Sequence, residues 1–402
     1  MPGTTTAPAR RVALYSHDTQ GLGHIRRNLA IADALVAADA GTDVVVLTGN
    51  PEAATLPRPP RTDLVTLPTV RKDAGGGYDS RALGIGFDEV LRLRSAVLEA
   101  TLTTFAPDLL VVDKVALGLG GELEPVLRRL RETGGTRVVL GLREVLDAPD
   151  VAVREWEVSR TSQAVRRYYD AVWVYGDQAV YDTVAEYRLP GDVARMVDFT
   201  GYLARGRDAG ASARGVVEAP PSDPYVLCLC GGGQDGVDLA RAFAAAPLPD
   251  GVRGLVVTGP FMPTAVREEL HAIAARSPRV EVRELVANVP ALVAGARAVV
   301  SMAGYNSVCE LLDAGARTLL VPRTAPRLEQ MVRARRLAEL GHADVLHPRE
   351  ATPQRLGRWL EAAVTGAHPG ATTATPHPVD LDGLDRVPIL ADRLLEGATR
   401  AA

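Results

Sequence analysis

Apolar positions along the 402-residue chain come in short, β-branched runs separated by stretches in which apolar residues recur every three or four positions. The runs are "RVALYS", "DVVVLT", "DLLVVD", "RVVLG" and "AVWVYG", followed by "PYVLCLC", "GLVVTG", "AVVSM" and "TLLVP". Near-continuous apolar strands alternating with amphipathic helices predict parallel sheets covered on both faces, so the chain reads as an α/β protein with doubly wound sheets. The alternation pauses once, at "ARGRDAGASARGVVEAPPSD", a stretch rich in Gly, Ala and Pro without an apolar period, as an interdomain linker should be.

This divides the chain into an amino-terminal domain (1–203), a linker (204–222), a carboxyl-terminal domain (223–365) and a final segment (366–402). Both domains begin with an apolar strand, a glycine-bearing loop and a helix: "RVALYSHDTQGLGHIRRNLAIADAL" and "PYVLCLCGGGQDGVDLARAFAAA". Two Rossmann-like halves of this kind place their glycine loops on facing edges of one cleft. The loop-like "TGAHPGATTATPHPVDLDG" and the helical "LDRVPILADRLLEGA" predict a last helix that returns across the interface to the first domain.

Composition narrows the function. Hydrophobic residues are 47% and charged residues 23%, and no apolar run reaches membrane-spanning length. The start, "MPGTTTAPARR", has no apolar segment after its charges, so no secretory signal is expected and the cytoplasm is the default compartment. The net charge is −4, with Lys72 and Lys114 the only lysines, and such a balance does not call for nucleic acid as a partner. Cys228 and Cys230 are same-face neighbours on a strand, and with Cys309 they read as buried reduced thiols, not as a metal clip.

Three stretches carry candidate chemistry. In "CLCGGGQDGVDLARAF", Gly231, Gly232 and Gly233 allow close approach of a ligand, and a helix opening near Gln234 would aim free N–H groups at a diphosphate; a plain strand-to-helix turn is the alternative. In "AVVSMAGYNSVCELLDAGARTLLVP", Ser301 and Gly304 lead into a helix whose first turn holds Asn306 and Ser307. Glu310, one turn on from Asn306, could accept from the vicinal hydroxyls of a ribose or simply complement the helix dipole. In "VPRTAPRLEQMVRARRLAEL", Glu329 and Gln330 stand at a helix start, able to reach sugar hydroxyls or to lie solvated.

The order of these blocks resembles the donor domain of GT-B glycosyltransferases, and within that class the MurG-type family, whose members add N-acetylglucosamine to a lipid-linked cell-wall precursor. The resemblance implies that Gly232, Gly233, Gln234, Ser301, Gly304 and Asn306 hold the diphosphate, Glu310 the ribose and Gln330 the donor sugar, with Leu285 and Val286 of "LVANVP" flanking the base. "GYNS" and "RTAPRLEQ" depart from the family's usual segments. "GLGH" (Gly21, Gly23, His24) is similar to the family's first glycine loop and to the loop whose histidine deprotonates the acceptor in natural-product glycosyltransferases. His24 takes that position, and Asp113, at the end of "PDLLVVD", could orient it, since a carboxylate on one imidazole nitrogen fixes the tautomer and stabilises the charged ring. His17 and Asp18 are second candidates, Glu144 could line the same cleft, and Arg71 to Phe87 reads as a mobile loop near an acceptor pocket or a bare connection.

The resulting expectation is a metal-independent, inverting glycosyltransferase that carries no tightly bound cofactor. It would take a nucleotide-diphosphate sugar, by resemblance a UDP-sugar, and an unidentified acceptor, small and soluble or lipid-linked. A nucleotide-sugar 2-epimerase or hydrolase of the same architecture, or a silent nucleotide-sugar-binding protein, are the alternatives.

Overall fold

The computed structural model describes residues 9–17, 21–72, 77–207, 220–286, 288–366 and 377–399. The first sheet has seven parallel strands. In chain order these are β1 (Arg11–Ser16), β2 (Asp43–Thr48) and β3 (Thr62–Thr66); then, after a small antiparallel hairpin of β4 (Val70–Lys72) and β5 (Tyr78–Ser80), β6 (Leu109–Asp113), β7 (Arg137–Arg143), β8 (Ala171–Tyr175) and β9 (Val197–Phe199). Their spatial order is β3-β2-β1-β6-β7-β8-β9. The second sheet holds β10 (Tyr225–Leu229), β11 (Arg253–Val257), β12 (Val280–Arg283), β13 (Val299–Ser301), β14 (Thr318–Leu320) and β15 (Asp344–Val345), also all parallel, in the order β12-β11-β10-β13-β14-β15.

The central strands β6, β8 and β10 are buried at every residue, because helices cover both faces of each sheet. The strands not announced by an apolar run, β3, β9, β12 and β15, all lie at sheet edges. There one side is open, and polar residues as in "TDLVT" and "VEVR" are tolerated. The stretch expected to be a mobile loop instead contains the β4–β5 hairpin, with Tyr78 stacked on Phe87 at 5.8 Å between ring centroids; residues 73–76 fall outside the described set.

The last helix, Gly383–Thr399, packs on the Gly23–Ala38 helix of the first domain, as expected. Leu203 bridges Asp382, Arg386 donates to the Thr200 carbonyl at 2.7 Å, and Arg10 pairs with Asp392 at 2.7 Å. One continuous apolar cluster joins Val12, Leu14 and Ile31 of the first domain to Leu227, Tyr305 and Leu320 of the second and to Leu384 and Val387 of the returning helix. The three cysteines are free and buried.

Candidate active site

In a doubly wound sheet the strand order reverses at one point, and the loops leaving the two central strands there diverge to opposite faces, opening a crevice at their carboxyl ends. In the first sheet that point lies between β1 and β6, in the second between β10 and β13. A cleft of about 980 Å³ lies between the domains, lined from the first by Gly21, Gly23, His24 and Arg143, and from the second by the Gly231–Gly233 loop, Asn306, Glu310 and Glu329.

His24 is the second residue of the Gly23–Ala38 helix that follows β1, and Asp113 is the last residue of β6. The register Ser16 to Asp113 sets these ends side by side, and His24 Nδ1 lies 2.8 Å from Asp113 Oδ2. The carboxylate is buried while the imidazole is about one-fifth exposed toward the cleft. Arg27, one turn along the same helix, also binds Asp113 Oδ2. Its Nη2 is 2.9 Å from His24 Nδ1, but a ring nitrogen that donates to Asp113 has no lone pair for Arg27, so the ion pair to the carboxylate is its productive contact. Burial alone would raise the Asp113 pKa; Arg27 and His24 outweigh it and hold the carboxyl well below its usual range.

The His17 ring meets His24 edge-on at 5.3 Å. Burial, then the neighbouring His24 and Lys114, push its pKa well below the usual imidazole value, so His17 is neutral and a weaker base than an exposed histidine. Asp18 lies outside the described residues. Lys114 directly follows Asp113 in a left-handed backbone conformation, φ 70°.

On the opposite wall, Gly231 (φ 60°) has open space where a side chain would begin. Gly233 (φ 101°) has none, because a Cβ there would stand 2.6 Å from the Met262 nitrogen. Gly233 is demanded by packing, whereas Gly231 and Gly232 present bare backbone to the cleft. The following helix opens at Val237, not near Gln234, which sits in a turn between loop and helix. The Tyr305–Asp313 helix does open into the cleft, with Gly304 as its cap and Asn306 and Ser307 in its first turn. Ser301 is fully buried, and its hydroxyl bonds backbone carbonyls of Leu229 and Met302, so it supports the loop from behind.

Glu310 is buried at the cleft and accepts from Arg26 at 2.9 Å across the domain boundary. Asn306 likewise bridges, donating to the Gly23 carbonyl at 3.1 Å and accepting from Arg207 at 2.7 Å. Glu329 is held by Arg323, which also reaches Asp235 at 2.8 Å, and Gln330 accepts the Arg323 backbone N–H at 3.2 Å. The Glu329 Oε2 atom is buried without a partner. Burial would raise the Glu329 pKa, but Arg143 and Arg323 bring it below the usual value. Leu285 is exposed and Val286 buried at one end of the cleft.

Glu144 does not serve the cleft. Both oxygens bind the Arg333 guanidinium of the second domain, at 2.5 and 3.1 Å, and Tyr202 donates to it at 3.0 Å. The departures from the family segments have structural partners: Tyr305 of "GYNS" is buried against Tyr202, between Arg27 and Arg333, and Arg327 of "RTAPRLEQ" pairs with Asp147 and Glu155 of the first domain. Sequence reasoning missed the arginines at 26, 27, 143, 323 and 333. Only Arg27 left a signal, three residues after His24 and so on the same helix face.

Among the described residues no group of three or more His, Cys, Asp or Glu side chains is placed to hold a metal ion, and no helix is long and apolar enough to cross a membrane.

Two facing Rossmann-like domains with a cleft at both reversal points define the GT-B fold. Residues 252–376 match the model of the glycosyltransferase family 28 C-terminal domain, so that stretch of the second half carries the likeness to this domain. Solved structures agree over nearly the whole length. The glycosyltransferase of kitacinnamycin superposes with a TM-score of 0.58 at 17% identity, covering 98% of this chain and 99% of its own. MurG of Acinetobacter baumannii gives 0.54 at 16%, covering 96% and 99%. A Listeria monocytogenes protein assigned as a UDP-N-acetylglucosamine 2-epimerase gives 0.58 at 13%, covering 98% of both chains. No curated protein sequence matches the chain.

Proposed function

We propose that the protein is an inverting, metal-independent glycosyltransferase that moves a hexosyl group from a nucleotide-diphosphate sugar, by family resemblance a UDP-sugar, to a hydroxyl or amine of an acceptor. The observation that carries this reading is the His24–Asp113 pair at the reversal point of one sheet, facing bare glycine backbone and a helix N-terminus at the reversal point of the other.

The acceptor lies on the first domain. His24 Nε2, the nitrogen not engaged by Asp113, takes the acceptor proton as the oxygen attacks C1 of the donor sugar. The new C1–O bond forms as the bond from C1 to the phosphate oxygen breaks, and the nucleoside diphosphate leaves with the electron pair. Asp113 holds the tautomer and stabilises the imidazolium. Backbone N–H groups at Gly231 and Gly232 and at the start of the Tyr305–Asp313 helix neutralise the leaving diphosphate, work that a metal ion does elsewhere. Glu310 accepts from the ribose, Glu329 and Gln330 from the sugar, and Leu285 and Val286 flank the base.

Titration calorimetry with UDP tests the donor; no binding by the intact protein would remove the UDP assignment. NMR of the product tests the mechanism, since retention of anomeric configuration rules out single displacement by way of His24. The likeness in fold to an epimerase keeps one second reading, acid–base chemistry on the donor itself. Incubation of UDP-N-acetylglucosamine without acceptor decides it by whether an epimer accumulates.

A further inference from the structure

Arginines around the cleft have a partner or reach solvent: Arg26 pairs with Glu310, Arg27 with Asp113, Arg323 with Asp235 and Glu329, Arg327 with Asp147 and Glu155, and Arg333 with Glu144, Arg207 bonds Asn306 and the Leu203 carbonyl, and Arg58 is exposed. Arg143 is the exception. It ends β7 and lines the cleft, yet its side chain makes no ion pair or hydrogen bond among the described residues, and its Nε is buried without a partner. Lys114, on the neighbouring strand end, is tied by its backbone N–H to the Gly141 carbonyl at 2.8 Å and likewise has no side-chain partner among the described residues.

Two cations without a hydrogen-bonded counter-ion thus stand on adjacent strand ends, and the carboxylates whose charge reaches them, Glu329 and Asp113 for Arg143 and Glu155 and Glu329 for Lys114, are each shared with another cation. Asp113 is already bound to Arg27 and His24, and Glu329 to Arg323. Burial first, then Arg27 and Arg333, lowers Arg143 to about 10, and burial, then Arg143 and Arg327, lowers Lys114 to about 7. A half-buried cation without a hydrogen-bonded counter-ion gains when an anion arrives, and a guanidinium fork with an ammonium beside it suits a carboxylate or phosphate.

We propose that Arg143 and Lys114 form an anion subsite on the acceptor wall, so that the acceptor carries a carboxylate or phosphate group close to the hydroxyl that reacts. This rests on the glycosyltransferase reading for the word acceptor, but the anion site itself does not. Both cations belong to the first domain, whereas the bare glycine backbone and helix N-terminus assigned to the donor diphosphate belong to the second.

The test is calorimetric titration of inorganic phosphate, with acetate as the carboxylate probe, into the intact protein saturated with UDP. Wild-type protein should bind one anion per chain with UDP in place. Arg143→Gln should weaken that binding by about tenfold or more and Lys114→Met by several-fold, with UDP affinity changed less than about twofold, as expected for charge-assisted contacts to the probe alone. Both side chains are half-buried, and Lys114→Met, a separate substitution on the other strand end, keeps the test open if Arg143→Gln does not fold. Two results overturn the proposal: absence of anion binding in the wild type or its indifference to both substitutions, or a UDP affinity that falls in step with the anion affinity, which would assign the cations to the leaving diphosphate. Failure of the wild type to bind UDP at all would remove the donor reading while leaving anion binding in the absence of UDP to decide the subsite.

Discussion

Arg27 holds Asp113 from one side while His24 holds it from the other, so a single buried carboxylate oxygen serves both a permanent cation and a ring that must gain and lose a proton. Because Asp113 stays ionised through the ordinary acid range, it adds no titration of its own to a rate profile there. His24→Ala should abolish turnover while UDP affinity stays within about twofold, if the ring serves the acceptor as proposed. Asp113→Asn, which keeps the shape but favours the wrong tautomer, should lower kcat by about 10² to 10⁴. Steady-state kinetics beside UDP calorimetry checks both, and a variant that loses UDP binding with turnover would place the pair on the donor.

Glu144 and Arg333 form a fully buried ion pair between the domains. Truncating one partner leaves the other charge uncompensated, so Glu144→Ala should destabilise the protein by about 3–5 kcal/mol. Urea denaturation gives the value. A change below about 1 kcal/mol would mean that water or a side-chain rearrangement readily solvates Arg333.

The alternation of apolar runs was enough to place the nine best-covered strands and both glycine loops, because strands buried on both faces leave a continuous apolar signature. Edge strands such as β12, "VEVR", leave none. His24 and Asp113 stand out as chemistry-bearing residues at a helix start and a strand end, and Glu310 one turn into a helix that opens on the cleft. Apart from Arg27, the arginine partners leave no signal, because the pairing of Arg26 with Glu310 or Arg333 with Glu144 spans 284 and 189 residues, and no local period encodes it. Glu144 looked equally functional from its strand end, and only its long-range partner shows it to be an interdomain clasp.

Arg26 occupies the carboxylate assigned to the ribose, at 2.9 Å. If ribose hydroxyls must compete with that guanidinium, the two residues have opposite effects on nucleotide binding. Glu310→Ala should raise the Kd for UDP by about tenfold, the loss of one or two hydrogen bonds to a charged acceptor. Arg26→Ala should leave it unchanged or lower it. Calorimetry on both variants separates this from a purely structural role, in which both weaken binding together through a loosened domain contact.

Lys114 gives a pH signature with a definite sign. Its pKa is lowered to about 7 by burial and then by Arg143 and Arg327, with Glu155 and Glu329 opposing and the neutral His17 close by. Between pH 7 and the ordinary lysine range the unfolded chain therefore binds a proton that the folded chain does not, and this residue makes stability rise with pH across that window. Below pH 7 both states are protonated and the folded protein carries the full penalty of a charged lysine among cations. Lys114→Met removes that penalty. It should stabilise the protein at pH 6 by about 1 kcal/mol, a figure kept small because the side chain is partly solvated, and the advantage over wild type should shrink steadily toward pH 10. Urea midpoints of wild type and variant, measured at intervals over that range, check the trend. An advantage that stays constant with pH would mean that the substitution acts through packing alone and that Lys114 keeps an ordinary affinity for its proton.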